Sequence, residues 1–166
     1  MSPEAAFPGP AFPGPASRAP AVDREVRRWA LDTPAQLRPL RAALLEATIG
    51  TPPPSGVGPG EAAERMLIVV TELATNALRY GLPPTVVLLY RAGRDYLVDV
   101  VDHDPTTEPE LVAERRPAVG GLGLGLARSL ALDVGWYRTT TTKHVWARLP
   151  GPPANPQADP EGAPRS

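Results

Sequence analysis

Apolar positions along this chain fall into helix-like and strand-like spacings that alternate in a simple order. Ala63, Met66, Leu67, Val70, Leu73, Ala74, Ala77 and Leu78 recur near a 3.6-residue period and predict a helix from Glu61 to Tyr80. Gly81 is placed to be its C′ residue, with Pro83 beyond. An earlier stripe of Leu37, Leu40, Leu44 and Leu45 predicts a helix from Pro34 to about Thr48. Thr33-Pro34 has the form of an N-cap followed by proline at the first helical position, and Pro39 interrupts the pattern. Arg24 to Leu31 reads as a short edge strand. Thr85 to Tyr90 and Tyr96 to Asp102 read as strands joined by a turn at Ala92-Gly93-Arg94. A glycine-started helix is expected from Gly121 to Leu132, then a hairpin of Val134 to Thr140 and Val145 to Leu149. Helices among hairpin-linked strands predict an α+β fold. It would be a two-layer α/β sandwich whose mixed, mostly antiparallel sheet carries helices on one face.

The ends lack such patterning. Residues 1–21 contain AFPGP twice, at Ala6–Pro10 and Ala11–Pro15, and residues 151–166 hold Pro, Gly, Asn and Asp with few large apolar groups. Neither stretch can bury enough apolar surface to offset ordering entropy, so both are expected to be disordered. A single folded domain over residues 22–150 remains within the 166-residue chain. The whole chain's net charge of −1 gives no global field for nucleic acid or an anionic membrane. No apolar run approaches the roughly 18 to 20 residues of a membrane span. No secretory leader is recognisable at the start, so a cytoplasmic location is expected. The absence of cysteine excludes disulfides and thiolate sites, and His103 and His144 are too few for a zinc centre.

Three polar constellations interrupt the pattern. Glu72 and Asn76 stand at i, i+4 on the second helix, with Arg79 following at i+3. This is either a solvated helix face or a metal–phosphate site, in which Asn offers a carbonyl oxygen to Mg²⁺ and Glu orients a nucleophile. Val100-Val101-Asp102-His103-Asp104-Pro105 ends a strand in acids. By itself this is ordinary turn chemistry, although Asp102 could accept from an exocyclic amine. Gly120-Gly121-Leu122-Gly123-Leu124-Gly125 before a helix frees backbone N–H groups to meet phosphate, which a merely flexible loop explains less well. The spacing is not that of a dinucleotide fingerprint. No buried strand precedes it, no acid stands about 20 residues on, and no Gly-Lys-Ser/Thr is present for a Walker A loop.

In this order the pieces resemble the ATP-binding domain of the GHKL superfamily, and within it the small single-domain branch of anti-sigma-factor serine kinases and related regulators. Glu72-Leu-Ala-Thr-Asn76 through Gly81 looks like the N-box, Val100 to Pro105 like the G1 box, and Gly120 to Ala131 like the G2 box. Lys143-His144-Val145-Trp146-Ala147 looks like the branch's final strand. The resemblance implies a Bergerat-type fold that binds ATP with Mg²⁺. Asn76 would ligate the metal, Glu72 would act as base or position the attacking hydroxyl, and Asp102 would read the adenine amine. Gly121, Gly123 and Gly125 would offer N–H groups to phosphate. Arg79 would face the nucleotide mouth, and His144 stands where the family often has an adenine-assisting Thr. Aspartate and proline follow His103 where a G1 glycine is usual, and Tyr80 replaces a frequent His. The function implied is a serine/threonine protein kinase acting on an anti-sigma antagonist. The alternative is an ATP-responsive, protein-binding regulator without significant kinase activity. A sigma factor and/or its antagonist would be the partner, transcription regulation the setting, and a homodimer through the N-terminal strand and first helix is plausible. No phospho-accepting His-Glu motif is present, which argues against a complete histidine kinase.

Overall fold

The computed structural model describes residues 16–49, 60–109 and 123–151. The chain order is β1 (Arg24–Leu31), α1 (Leu37–Ile49), α2 (Glu61–Tyr80), β2 (Thr85–Ala92), β3 (Asp95–Asp102), α3 (Gly123–Leu130), β4 (Asp133–Arg138) and β5 (Lys143–Leu149). The strands form one sheet in the order β1-β2-β3-β5-β4. Each of these pairings is antiparallel.

Side-chain alternation gives the sheet two different faces. Val87, Leu89, Val98, Val100, Val145, Ala147 and Leu149 point to one face and join a buried cluster with Leu40 and Leu44 of α1 and Met66, Val69, Val70 and Leu73 of α2. That is the sandwich core. Helix α2 buries Ala63, Met66, Leu67, Val69, Val70, Leu73, Ala74 and Ala77, nearly the expected stripe. Each large side chain fully removed from water contributes about 1.5–3 kcal/mol, so this wide stripe holds α2 against the sheet.

The first helix divides as its prolines dictate. Pro34–Gln36 form a 3₁₀ turn and the α-helix begins at Leu37. Pro39 thereby falls in the first turn, where a missing N–H costs no intrahelical bond. The Gln36 side chain closes the entry by accepting the Thr33 N–H at 3.0 Å.

Gly81 differs from expectation in an informative way. Its backbone is extended (φ −87°, ψ −179°), not left-handed, so conformational freedom is not what it supplies. A Cβ at this position would fall 2.6 Å from Asp102 Oδ2. Glycine is needed because the chain leaving α2 presses directly on the end of β3. The His103 N–H donates to the Leu82 carbonyl at 2.8 Å and fixes that approach.

The last hairpin is also shifted. Thr139 and Thr142 close its turn through a backbone bond of 2.9 Å and paired hydroxyls at 2.6 Å. Strand β5 therefore starts at Lys143, two positions before the expected Val145, and β4 stops at Arg138. At the other end, Ser17 lies in a stretch expected to be disordered, yet its N–H donates to the Trp136 carbonyl at 2.7 Å and its carbonyl accepts from Trp146 Nε1 at 3.3 Å. Edge strand β4 offers free backbone groups there, and Gly135 leaves the space: a Cβ would meet the Ser17 hydroxyl. No described helix is long and apolar enough to cross a membrane.

Candidate functional site

One cavity of about 220 Å³ lies between α2 and the inner face of the sheet, where β3 ends and β5 begins. Helix α2 lines it with Leu73, Asn76, Ala77 and Tyr80, which share a face through their i, i+3, i+4, i+7 spacing. The sheet supplies Asp102, Lys143 and Val145, and the loop after β3 supplies Thr107, Glu108 and Pro109.

Asp102 is 2% exposed. Its Oδ1 accepts the Asp104 N–H at 2.8 Å, an Asx turn that begins the loop. Its Oδ2 lies 3.4 Å from Lys143 Nζ. The two are Cα partners across the β3–β5 ladder, which fixes them side by side on one face. An ionised carboxylate at this depth requires a partner, and the ammonium is that partner.

Asp104 does not point into the cavity. Its Oδ1 accepts from the Thr106 hydroxyl at 2.6 Å, the Thr106 N–H at 3.1 Å and the Thr107 N–H at 3.3 Å. The hydrogen bonds from Thr106 and Thr107 hold its carboxyl far below the usual carboxylate range. This acid therefore folds the loop that walls the site. Arg138 secures the same loop from β4, donating to the Pro105 carbonyl and to Glu108 Oε1, both at 3.3 Å.

Asn76 and Asp102 are thus brought to one cavity. Glu72 sits one helical turn before Asn76, outside the lining, and is half-buried. Burial pushes its carboxyl above the ordinary value, while the Arg79 charge opposes that shift. Arg79 is exposed and also outside the lining. Gly123 and Gly125 lie in the first turn of α3, whereas Gly121 falls outside the described residues.

His144 does not join them. It points to the opposite face, where its Nδ1 lies 2.8 Å from Asp99 Oδ2 and its ring stacks on Tyr137 at 4.3 Å. The side chain from β5 that reaches the cavity is its neighbour Lys143, which sequence reasoning missed. The available signal was strand parity. Lys143 shares its face with Val145, Ala147 and Leu149, but only if the strand begins before the apolar run.

The donor set suits a magnesium nucleotide. Asn76 offers a neutral hard oxygen, and Mg²⁺ usually takes few protein ligands while keeping waters and phosphate oxygens. Asp102 offers a fixed acceptor, held where the backbone of Gly81 leaves no room for a side chain.

The sequence model described as "Histidine kinase-like ATPase domain" matches residues 30–149. No curated protein matches the chain. Among solved structures, the histidine kinase AdeS of Acinetobacter baumannii is similar at 12% identity and a TM-score of 0.44, over 76% of this chain and 68% of that one. The histidine kinase domain of a blue-light activated histidine kinase from Erythrobacter litoralis is similar at 20% identity and a TM-score of 0.41, over 81% of this chain and 66% of that one.

Proposed function

Because the chain belongs to the histidine kinase-like ATPase domain family, an ATP-binding class with regulatory roles, we propose that it is a regulatory protein kinase of the anti-sigma-factor type, transferring phosphate from Mg·ATP to a serine or threonine of an antagonist protein. The observation that carries this reading is the shared cavity of Asn76 and Asp102.

In it, Asp102 accepts the amine of the base and Asn76 contributes the protein oxygen to Mg²⁺. The backbone N–H groups that begin α3, at Gly123 and Gly125, meet the phosphates with the positive end of the helix. Bound Mg·ATP supplies the phosphoryl group and the charge that neutralises it. Glu72 orients the substrate hydroxyl and takes its proton. Its raised carboxyl suits a base that must hold that proton transiently. Phosphoryl transfer needs mainly positioning and electrostatic stabilisation, which this set of groups can provide. A sigma factor, the antagonist, or both in turn are the partners this reading names.

The position of Glu72 outside the cavity lining favours keeping a second reading: a regulator whose ATP state controls partner binding without phosphoryl transfer. Incubation with labelled ATP and candidate antagonists separates the two. Transfer that Glu72→Gln abolishes supports the kinase, and ATP binding without transfer by the wild type selects the regulator. Thermal shift with Mg·ATP tests the site itself. Asn76→Ala and Asp102→Ala should each remove most of the ATP-induced shift, and a full shift in both variants would overturn the assignment.

A further inference from the structure

We infer that Lys143 is a base-reading residue of this site, donating to ring nitrogen N1 of adenine while Asp102 accepts from the exocyclic amine. The inference rests on the proposal that the cavity binds ATP. It deepens that proposal by naming a second recognition group at the position where sequence reasoning had looked to His144.

Four observations carry it. Lys143 lines the same cavity as Asn76 and Asp102. Its side chain is 6% exposed, so it is not a solvated surface cation. Its Nζ lies 3.4 Å from Asp102 Oδ2, so a fixed donor stands beside a fixed acceptor. The pairing of Asp102 with Lys143 across the ladder sets that juxtaposition through the backbone, not through a mobile tether.

The chemistry then restricts the ligand edge. An ammonium has three donors and no acceptor, and an ionised carboxylate only accepts. One Nζ–H serves Asp102 and the others remain to be offered. The complementary edge must place an acceptor next to a donor. Adenine does so at N1 beside its 6-amino group, and again at N7 beside the same group. Depth decides between them. Asp102 and Lys143 are 2% and 5% exposed, whereas Tyr80 is 48% exposed at the open side. The sugar and phosphates must leave through that open side. N1 lies on the edge remote from the sugar-bearing N9, while N7 shares the five-membered ring with it. The base therefore enters with its N1 and amino edge foremost.

The test compares the affinity of the full-length protein for Mg·ATP, 1-deaza-ATP and 7-deaza-ATP by calorimetry. Replacing N1 by C–H leaves a buried charged donor without its partner, so 1-deaza-ATP should bind about tenfold or more weakly than ATP. Binding of 7-deaza-ATP should stay within about twofold of ATP, since no protein donor is assigned to N7. In Lys143→Met, ATP and 1-deaza-ATP should bind within about twofold of each other, because the donor that distinguishes them is gone. Lys143→Gln replaces it if the Met variant loses its melting transition, and should retain only part of the discrimination. Equal wild-type affinity for ATP and 1-deaza-ATP, or undiminished discrimination in a folded Lys143 variant, overturns the inference alone. A wild type that binds no ATP overturns the nucleotide reading and this inference with it.

Discussion

The two faces of the sheet each hold a buried carboxylate from β3 beside a basic side chain from β5, yet of these two pairs it is the inner one that lines the cavity beside α2. On the inner face Asp102 meets Lys143 at 3.4 Å at the edge of the cavity. On the outer face Asp99 meets His144 at 2.8 Å, the Tyr137 ring covers the imidazole at an interplanar angle of 10°, and the Thr142 hydroxyl lies 3.0 Å from its Nε2. Asp99 Oδ1 is left buried without a hydrogen-bond partner. Both acids are buried, His144 is somewhat more exposed than Lys143, and it is the Asp102–Lys143 pair that borders the cavity. A buried acid–base pair thus identifies a site only where the packing leaves room beside it.

The largest contrast should appear in stability. Lys143→Met strands the Asp102 carboxylate at full depth, and breaking such a pair typically costs about 3–5 kcal/mol. His144→Ala exposes Asp99 to a vacated position nearer solvent, so a loss of about 1–3 kcal/mol is expected. Urea unfolding of both variants measures the difference. A His144 variant as unstable as the Lys143 variant would erase the distinction between the faces. Adding Asp102→Asn to Lys143→Met should recover part of the loss, because it removes the uncompensated charge.

Ligand binding separates the faces next. Asp102→Asn replaces half of the acceptor capacity facing the base with an amide donor. A charge-assisted hydrogen bond is worth about 1.5–3 kcal/mol, so Mg·ATP affinity should fall about 10- to 100-fold. Asp99→Asn touches no cavity residue and should leave affinity within about twofold. Calorimetry on both proteins decides this, and comparable losses would place the site wrongly or make it depend on the whole sheet.

What was readable in the sequence divides along the same line. The stripe on α2, the β2–β3 turn at Gly93 and the acidic end of β3 depend on local periodicity and turn residues, and these were legible. The register of the last hairpin was not. The apolar pattern alone starts the last strand at Val145, only the resemblance placed Lys143-His144 in it, and cross-strand pairing with β3 and β4 makes Lys143 the first residue of β5. A two-residue error in where a strand begins hides which neighbour faces inward, since facing alternates at every position. Gly81 is a second case. Its sequence context suggests a left-handed cap, and only the tertiary approach to Asp102 reveals the steric reason for a glycine.

A smaller effect belongs to the outer face. Burial, followed by the charge of Asp99, pushes the Tyr137 hydroxyl up to about 12 from its ordinary value of 10.0. A folded-state value above the unfolded one means that the native state keeps its proton longer. Tyr137 therefore contributes stability that is fully present below about pH 10 and is lost as pH rises towards about 12. Tyr137→Phe should flatten that part of the alkaline stability profile relative to wild type, with no matching change in ATP affinity. A wild-type profile no steeper than that of the variant over this range would contradict the proposed packing of Asp99, Tyr137 and His144.

The smallest shift concerns the rim of the inner face, where Glu72 and Arg79 stand outside the cavity. Burial raises the Glu72 carboxyl and the Arg79 charge partly restrains it. A base acts in its deprotonated form, so the rate of phosphoryl transfer should rise with pH through a value above the ordinary glutamate one. Arg79→Ala removes the restraint and should move this acid limb to still higher pH, only slightly because Arg79 is exposed and its field is screened. Raised ionic strength should move the wild-type limb the same way and leave the Arg79→Ala limb nearly in place. Stability provides a reading independent of catalysis. A raised folded-state carboxyl favours the native state most below its ordinary value of 4.5 and loses that contribution as pH rises through the raised value. Glu72→Gln should therefore be slightly more stable than wild type at neutral pH and no more stable in acid. A Glu72→Gln protein less stable at neutral pH would mean that the carboxylate is held by a structural partner, and its assignment as the base would lose its physical ground.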